Sequence, residues 1–273
     1  MGVPGAVGIA GAAGVPVNLR GWLDASPLAS VALALMRDAT GRDRSQEVIA
    51  PTRPAALEKG ARLGFWALAA GCGTSTTAAL VAHRSASGGN PPLLVDLDRW
   101  APSLALRADL PGVAATVADA LLRPGSERDS LSRWSELPFL PAAPGLHRIF
   151  DERVIQLVER AAGGRSVVLD LGAGSDALDQ SVLSTLGHLL IVTGPRVAQL
   201  QAAFCAVALL RDAPCPVGLV VTGAGPEDAV AIASRLPWPL RGAIPNDPHL
   251  AGDTFAARAP TLRAIDQLIR GLV

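Results

Sequence analysis

Residues 65–98 decide the fold, and they read FWALAAGCGTSTTAALVAHRSASGGNPPLLVDLD. The stretch opens with an apolar run long enough for one buried strand, and the alanine- and leucine-rich segment Ala78–Arg84 predicts a helix. A second apolar strand, Leu93–Val95, runs directly into Asp96-Leu97-Asp98. We therefore predict a strand, a glycine-rich loop, a helix and a second strand, which is the unit from which parallel sheets are built.

The loop between the first strand and the helix has the features of a phosphate-binding loop. Glycines let a backbone approach phosphate groups closely, and the turn directs its N–H groups and the helix N-terminus at them. In such loops the hydroxyl after the lysine position binds Mg²⁺, and Ser75 occupies that position. The lysine is replaced by Thr74 and the leading glycine by Leu68. The residues predicted to bind the phosphates are Gly71, Cys72, Gly73, Thr74, Ser75 and Thr76.

The sequence contains a single lysine, Lys59. It precedes the first strand whereas the loop follows it, so we expect Lys59 in solvent at the opposite end of that strand. The loop therefore lacks the cation that normally contacts the β- and γ-phosphates. Lost transition-state electrostatics of this kind typically cost on the order of 3 kcal/mol, roughly a hundredfold in rate. Fast hydrolysis is accordingly not expected.

Composition restricts the class of protein. The 273 residues are 49% hydrophobic and 18% charged, which argues against general disorder. The formal net charge of +0 provides no overall field for nucleic acid or an anionic membrane, so we predict no sequence-specific nucleic-acid binding. Three cysteines without metal-ligand spacing argue against a disulfide framework and favour a reducing, cytoplasmic location. No apolar run is long enough for a transmembrane helix.

The length favours one large domain with additional N-terminal material. Residues 1–60 begin with a Gly-, Ala-, Val- and Pro-rich stretch and end in a linker marked by prolines, so we interpret them as an extension, partly irregular. They lack the basic segment and unbroken apolar core of a secretory signal. Residues 61–273 are expected to form one α/β domain.

Apolar runs alternate with helical patterns along the rest of the chain. Strands are predicted at 137–141, 166–170, 188–193, 217–222 and 240–244, helices at 113–122, 152–162, 196–212, 227–236 and 261–272, and loop or short helix at 123–136. The alternation predicts a doubly wound, mostly parallel sheet with helices on both faces. Ligand sites in such sheets lie at the carboxyl ends of strands, where Asp98, Asp170 and the Gly71–Thr76 loop fall.

Asp170 allows three interpretations. At the end of a second core strand, an aspartate holds Mg²⁺ directly or through water in nucleoside-triphosphate sites. The segment Asp170–Gly174 also looks like the glycine motif of S-adenosylmethionine-dependent methyltransferases. Asp176 stands where that motif has another glycine, and the next predicted strand does not end in an acidic residue. The third alternative is an aspartate that caps the next turn.

Four motifs in sequence order resemble the MinD/ParA superfamily of deviant Walker-type ATPases, and most closely its CpaE/TadZ branch from tight-adherence pilus systems. The motifs are Gly71–Thr76, Leu94–Asp98, Val168–Asp170 and Ile244–Pro248. The resemblance covers residues 62–273 and implies the SIMIBI-type P-loop NTPase fold. Many CpaE proteins carry an N-terminal receiver-like domain, of which residues 1–60 would be at most a remnant.

The resemblance also implies roles for individual residues. Asp98 corresponds to the switch residue near the attacking water, Ser75 to the Mg²⁺ ligand and Asp170 to the second-strand aspartate. The family's variant lysine, near the start of the loop, falls on Ala69. Thr222-Gly223 stands where an asparagine often contacts adenine. The implied cofactor is ATP or ADP with Mg²⁺, bound weakly or not at all.

Two functions follow from the resemblance. The favoured one is a localisation or assembly scaffold of a pilus or secretion system, a pseudo-ATPase with weak or no hydrolysis. The alternative is a slow ATPase whose ATP-dependent dimerisation drives positioning or partitioning. Both imply a homodimer across the nucleotide face, with Trp100 and Pro102 as candidate apolar contacts.

The last predicted helix bears on localisation. It carries apolar residues on one face with Arg263 and Arg270 beside them. We expect this face to pack on the sheet, and peripheral contact with the inner face of the membrane is the alternative.

Overall fold

The structure of the chain, a computed structural model, describes residues 53–110, 114–142, 152–250 and 256–272. It describes the backbone alone at Glu152 and Asp176. Most of the predicted extension, residues 1–52, and the first residue of the helix predicted at 113–122 lie outside the described residues. The domain boundary at residue 60 stays a prediction.

Strands alternate with helices along the described chain. The strands are β1 (Arg62–Ala67), β2 (Leu93–Asp96), β3 (Ser132–Trp134), β4 (Leu137–Leu140), β5 (Val167–Ala173), β6 (His188–Thr193), β7 (Val217–Thr222) and β8 (Leu240–Ile244). The helices are α1 (Thr74–Ser87), α2 (Leu104–Arg107), α3 (Val117–Leu122), α4 (Glu152–Ala162), α5 (Gln180–Leu183), α6 (Val197–Leu209), α7 (Pro226–Ala233) and α8 (Ala259–Arg270). Single 3₁₀ turns lie at Ser175–Ala177 and Pro248–Leu250.

The strands form one sheet in the order β3-β4-β2-β5-β1-β6-β7-β8. Neighbouring strands are parallel except β3 and β4, which pair antiparallel. The predicted doubly wound, mostly parallel α/β fold is confirmed. β3 was not predicted, because it lies in the polar stretch 123–136. As an edge strand it buries only Trp134, so its sequence shows no apolar run.

Two differences in element bounds matter for the site. β1 ends at Ala67 rather than Ala70, and α1 begins at Thr74 rather than Ala78, because the left-handed Gly73 already serves as its N-cap. β5 continues past Asp170, since a register shift in β1 brings Ala67 opposite Ala173. Asp170 is therefore an interior residue of β5 and not its last residue.

Helices cover both faces of the sheet, as predicted. On one face the buried core includes residues of α1 and α8, and on the other it includes residues of α4, α6 and α7. Ile265, Leu268 and Ile269 of α8 are fully buried in the first of these cores. The last helix thus packs on the sheet through its apolar face. None of the helices in the described ranges is long and apolar enough to cross a membrane.

Asp266 joins three parts of the α1–α8 face. This buried carboxylate accepts hydrogen bonds from Arg84 of α1, Nε to Oδ1 and Nη2 to Oδ2, each 2.8 Å long. Its Oδ1 also accepts the backbone N–H of Ala55, at 2.8 Å. Removing one partner of a buried ion pair costs more than the pair contributes, because a desolvated charge is left behind.

We expect Asp266→Ala to lower the free energy of unfolding by about 3 kcal/mol, since it removes the carboxylate that accepts from both the Arg84 guanidinium and the Ala55 N–H. Urea denaturation of Asp266→Ala, of Arg84→Ala and of the double variant measures the coupling energy between the two residues. The double variant should lose clearly less than the sum of the singles. Additive losses below about 1 kcal/mol each would mean that the pair is as weak as an exposed one.

Candidate functional site

The loop between β1 and α1 turns through two glycines in the left-handed region. Gly71 and Gly73 have φ angles of 77° and 83°, a region that costs little only for glycine. The carbonyl of Gly73 accepts both the backbone N–H and the hydroxyl of Thr77, each at 2.8 Å. The first N–H groups of α1 have no partner within the helix, so they are left to a ligand or water.

Two side chains from neighbouring elements hold the loop carbonyls. Nε2 of Gln199 in α6 donates to the Gly71 carbonyl at 2.9 Å, and the hydroxyl of Thr222 at the end of β7 donates to the Cys72 carbonyl at 2.7 Å. Gln199 is itself buried, and its Oε1 accepts the N–H of Arg196 at 3.3 Å. With its carbonyls bonded to the protein, the loop keeps its shape before any ligand arrives.

Cys72 is a packing residue of this loop. Its side chain is buried, and burial raises the pKa of its thiol although the Gly194 N–H partly opposes the shift. A helix N-terminus alone would have lowered this pKa. The structure therefore favours the role of a small apolar side chain over that of a reactive thiolate.

Three carboxylates meet beside the loop. Asp96 of β2 lies opposite Asp170 of β5 in the sheet register, and Asp98 follows β2. Gly172, at φ 66°, makes room for Asp98, because a Cβ there would lie 2.5 Å from the Asp98 carboxyl carbon. Asp96 and Asp170 are fully buried. Within the described part of the chain, neither Oδ2 atom has a hydrogen-bond partner.

Burial is the largest cause of the pKa shifts of Asp96 and Asp170. It raises the pKa of Asp170 to about 6, against opposing hydrogen bonds from the Ser75 hydroxyl and the Gly172 N–H, and the charge of Asp98 adds to the rise. The pKa of Asp96 is raised well above its usual value by burial and by the neighbouring Asp170 charge. The cluster thus favours either a proton or a cation.

The residues fit a magnesium ion held mainly through water and phosphate. Among the described residues, no group of three or more His, Cys, Asp or Glu side chains is placed to hold a metal ion. Ser75 lies within hydrogen-bonding reach of Asp170, and the free Oδ2 of Asp170 is an acceptor for a metal-bound water. Mg²⁺ commonly keeps several waters and takes few protein ligands.

A cleft of about 470 Å³ opens on the other side of the loop. Its walls come from the loop and from the segments that follow β6, β7 and β8. They include Gly71, Cys72, Gly73, Thr76, Gly194, Arg196, Gln199, Thr222, Gly223, Asn246 and Asp247. Thr74 is instead buried at the start of α1, and Ser75 faces the carboxylates. The predicted loop residues therefore divide between the cleft and the carboxylate cluster.

Asp247 shapes the far wall of the cleft. Its carboxylate accepts the backbone N–H groups of His249 and Arg258, at 3.1 and 2.7 Å, and the Thr261 hydroxyl at 2.8 Å. These bonds lower its pKa although burial opposes them. The aspartate of the Ile244–Pro248 motif thus anchors the start of α8 to the end of β8.

Sequence reasoning missed three residues of the site. Asp96 was recoverable, because alternate residues of a strand point to the same face and it lies two positions before Asp98. Gln199 carried no signal, since its partner Gly71 is 128 residues away in sequence. Arg196 could not be placed in the cleft before the order of β1, β6 and β7 was known.

The methyltransferase motif does not form a cofactor turn of its own. Gly174 donates its N–H to the Ala67 carbonyl at 3.0 Å, and its carbonyl accepts the Trp66 indole N–H at 2.8 Å. Gly172 packs against Asp98, and the cleft lies on the Gly71–Gly73 side. The glycines after Asp170 thus support the carboxylate cluster.

No family model matches this sequence, and no curated protein matches it. Solved structures match it at low identity. The septum site-determining protein MinD from Pyrococcus horikoshii, complexed with Mg-ADP, is 20% identical, with a TM-score of 0.62 over 77% of this chain and 94% of its own. A ParA family ATPase from Chlorobium tepidum is 24% identical, with a TM-score of 0.62 over 78% and 97%.

A third solved structure is the MinC:MinD cell division protein complex of Aquifex aeolicus, matched at 20% identity with a TM-score of 0.63 over 77% of this chain and 94% of that one. Likenesses at this level of identity concern architecture. The chain thus has the fold of the MinD and ParA P-loop ATPases.

We expect Asp170→Asn to stabilise the ligand-free protein near pH 8. The folded pKa of Asp170 is raised to about 6. Its contribution is therefore fully favourable below the unfolded pKa of about 4 and is lost as pH rises through the folded pKa. The gain near pH 8 should be at most about 3 kcal/mol, and it should vanish near pH 4. Thermal or urea denaturation at both pH values measures it.

The matched control is Asp212→Asn, a change at an exposed carboxylate, which should alter stability little at either pH. A loss of stability in Asp170→Asn of equal size at both pH values would show that the carboxylate is structural and that its burial carries no charge penalty.

Proposed function

We propose that this chain is a MinD/ParA-like scaffold that positions or assembles a pilus or secretion system, with weak nucleotide binding and hydrolysis near background. One observation carries the proposal. Gln199 and Thr222 hold the carbonyls of the loop that leads into α1, but Thr74 stands at the position of its lysine. The MinD and ParA structures that share the fold support the choice of family. The resemblance of the motifs to the CpaE/TadZ branch supports the choice of system.

The loop and the cleft suit a nucleoside di- or triphosphate. Backbone N–H groups at a helix N-terminus bind phosphate without any side-chain charge. The cleft of about 470 Å³ lies within the range of small-molecule sites. We therefore propose ATP or ADP as the ligand, with affinity reduced by the missing lysine.

Magnesium would be held between the nucleotide, Ser75 and water bonded to Asp170. The ion supplies positive charge that offsets the phosphate oxygens when it is bound. Asp98 is oriented by its own turn, because its Oδ1 accepts the N–H groups of Trp100 and Ala101 at 2.9 and 3.0 Å. Asp98 would thus take the position of the switch residue beside Ser75 and Asp170.

The position of the single lysine explains why hydrolysis should be slow. Lys59 is exposed in the turn before β1, as expected, so it lies at the end of that strand opposite to the loop. Ala69 takes the place of the family's variant lysine. A site without either lysine gives up transition-state stabilisation on the order of 3 kcal/mol.

A slow ATPase is the second candidate. The juxtaposition of Ser75, Asp170 and Asp98 favours it, because these are the groups that would position Mg²⁺ and water. In that case nucleotide state would switch dimerisation and so drive positioning or partitioning.

A surface for self-association lies beside the site. Trp100 and Leu106 follow β2, at the same sheet edge as the loop, and are 64% and 81% exposed. Aromatic side chains such as Trp are enriched at protein interfaces. We propose that two copies meet across this face and that pilus or secretion proteins bind the dimer, in the cytoplasm or at the inner face of the membrane.

Wild-type protein should bind Mg-ATP weakly and release phosphate near the background rate. Thr74→Lys alone should not restore turnover, because Leu68 and Ala69 remain unsuited to the active loop. Calorimetry at millimolar ATP and a phosphate-release assay test both statements. Wild-type turnover of about 1 per second or faster, a rate typical of enzymes, would establish the second candidate.

The dimer should form without nucleotide. Thr74 and Ala69 occupy the two positions at which this fold can carry a lysine, so no lysine charges must be neutralised before two copies approach. Sedimentation with and without Mg-ATP should give the same dimer constant within about twofold, and Trp100→Glu should weaken it roughly tenfold or more.

The control for the dimer is Leu122→Glu, a change at a residue of α3 that is 81% exposed. It should leave the sedimentation unchanged. A wild-type monomer that dimerises only with ATP would show an intact nucleotide switch. An unchanged dimer constant in Trp100→Glu would place the interface outside the Trp100 surface.

A further inference from the structure

Arg196 is a cationic residue of the cleft lining. Among the described residues that line it, Arg196 alone is positively charged, and the loop segment of the lining is neutral. Arg196 precedes the first residue of α6 and is exposed. A polyanionic ligand in the cleft would therefore lie near this guanidinium.

The sheet order places Arg196 along the path of a ligand. β6 lies between β1, which leads into the phosphate loop, and β7, which ends at Thr222. A molecule that reaches from Gly71–Gly73 towards Asn246 must pass the segment after β6. Pro195 and Arg196 line the cleft at that point.

The backbone of Arg196 is fixed whereas its side chain is available. Its N–H donates to Oε1 of Gln199, the residue that also holds the Gly71 carbonyl. Within the described ranges, its guanidinium makes no ion pair. Among the described residues of the lining, the one carboxylate is that of Asp247, and it is engaged by Arg258 and Thr261.

We infer that Arg196 contacts the phosphates of a nucleotide in the cleft and supplies part of the positive charge that the loop lost with its lysine. The inference rests on the proposed nucleotide site. A guanidinium binds phosphate through two parallel N–H groups and stays charged at all working pH values. Gln199 links Arg196 to the loop, because its side chain is hydrogen-bonded to the backbone of both Arg196 and Gly71.

Calorimetric titration of the full chain with Mg-ADP and with adenosine tests the inference. Arg196→Gln removes the charge and keeps a polar side chain, and it should weaken ADP roughly tenfold while leaving adenosine unchanged. Arg196→Lys should retain part of the ADP affinity, since the charge remains and the planar fork is lost. The salt dependence of ADP binding should be smaller in Arg196→Gln than in wild type.

The matched control is Arg211→Gln, at an exposed arginine beyond the other end of α6, which should bind ADP like wild type. Equal ADP affinity in wild type and Arg196→Gln would overturn the inference and leave the nucleotide site standing. Equal weakening in Arg196→Gln and Arg211→Gln would overturn the inference, because it would show that general electrostatic attraction, and not a specific contact of Arg196, strengthens ADP binding. Wild-type protein that binds no ADP would overturn both the inference and the nucleotide site.

Discussion

The site depends on how the carbonyls of Gly71 and Cys72 are held. Gln199 and Thr222 bond them from α6 and from the end of β7, so the loop owes its shape to the protein rather than to a bound phosphate. The backbone N–H groups at the start of α1 then need no side-chain cation to remain aimed at an anion. This explains how a loop without lysine can keep the geometry of a binding site.

The N–H groups of the loop favour an anion, whereas the carboxylate cluster favours a cation. Asp96 and Asp170 are buried, and their raised pKa values show that ionising them is unfavourable without a cation nearby. The loop carries no charge of its own, and Arg196 lies on its other side. The phosphates of a nucleotide would supply the anion to the loop and to Arg196, and its Mg²⁺ would supply the cation to the carboxylates. On this basis we propose occupancy rather than rapid turnover.

The sequence predicted the fold because local signals agreed with it. Buried parallel strands appear as continuous apolar runs, so β6 and β7 were predicted to the residue. β3 gave no such run because an edge strand needs only one buried side chain. The loop and Asp98 were predicted from their places at the carboxyl ends of strands. Gln199 and Arg196 were not, since their positions beside the loop depend on which strands lie next to β1, and a single chain does not record that order.

Amide hydrogen exchange of the loop tests the central claim most directly. If Gln199 and Thr222 hold the loop ready for an anion, the amides of Gly71–Thr76 should exchange measurably more slowly with Mg-ADP than without it. Those of β4, which the cleft does not touch, should not change. Protection from exchange that is confined to other segments, or absent at millimolar Mg-ADP, would contradict the claim. It would show that the loop, although held by Gln199 and Thr222, binds no phosphate.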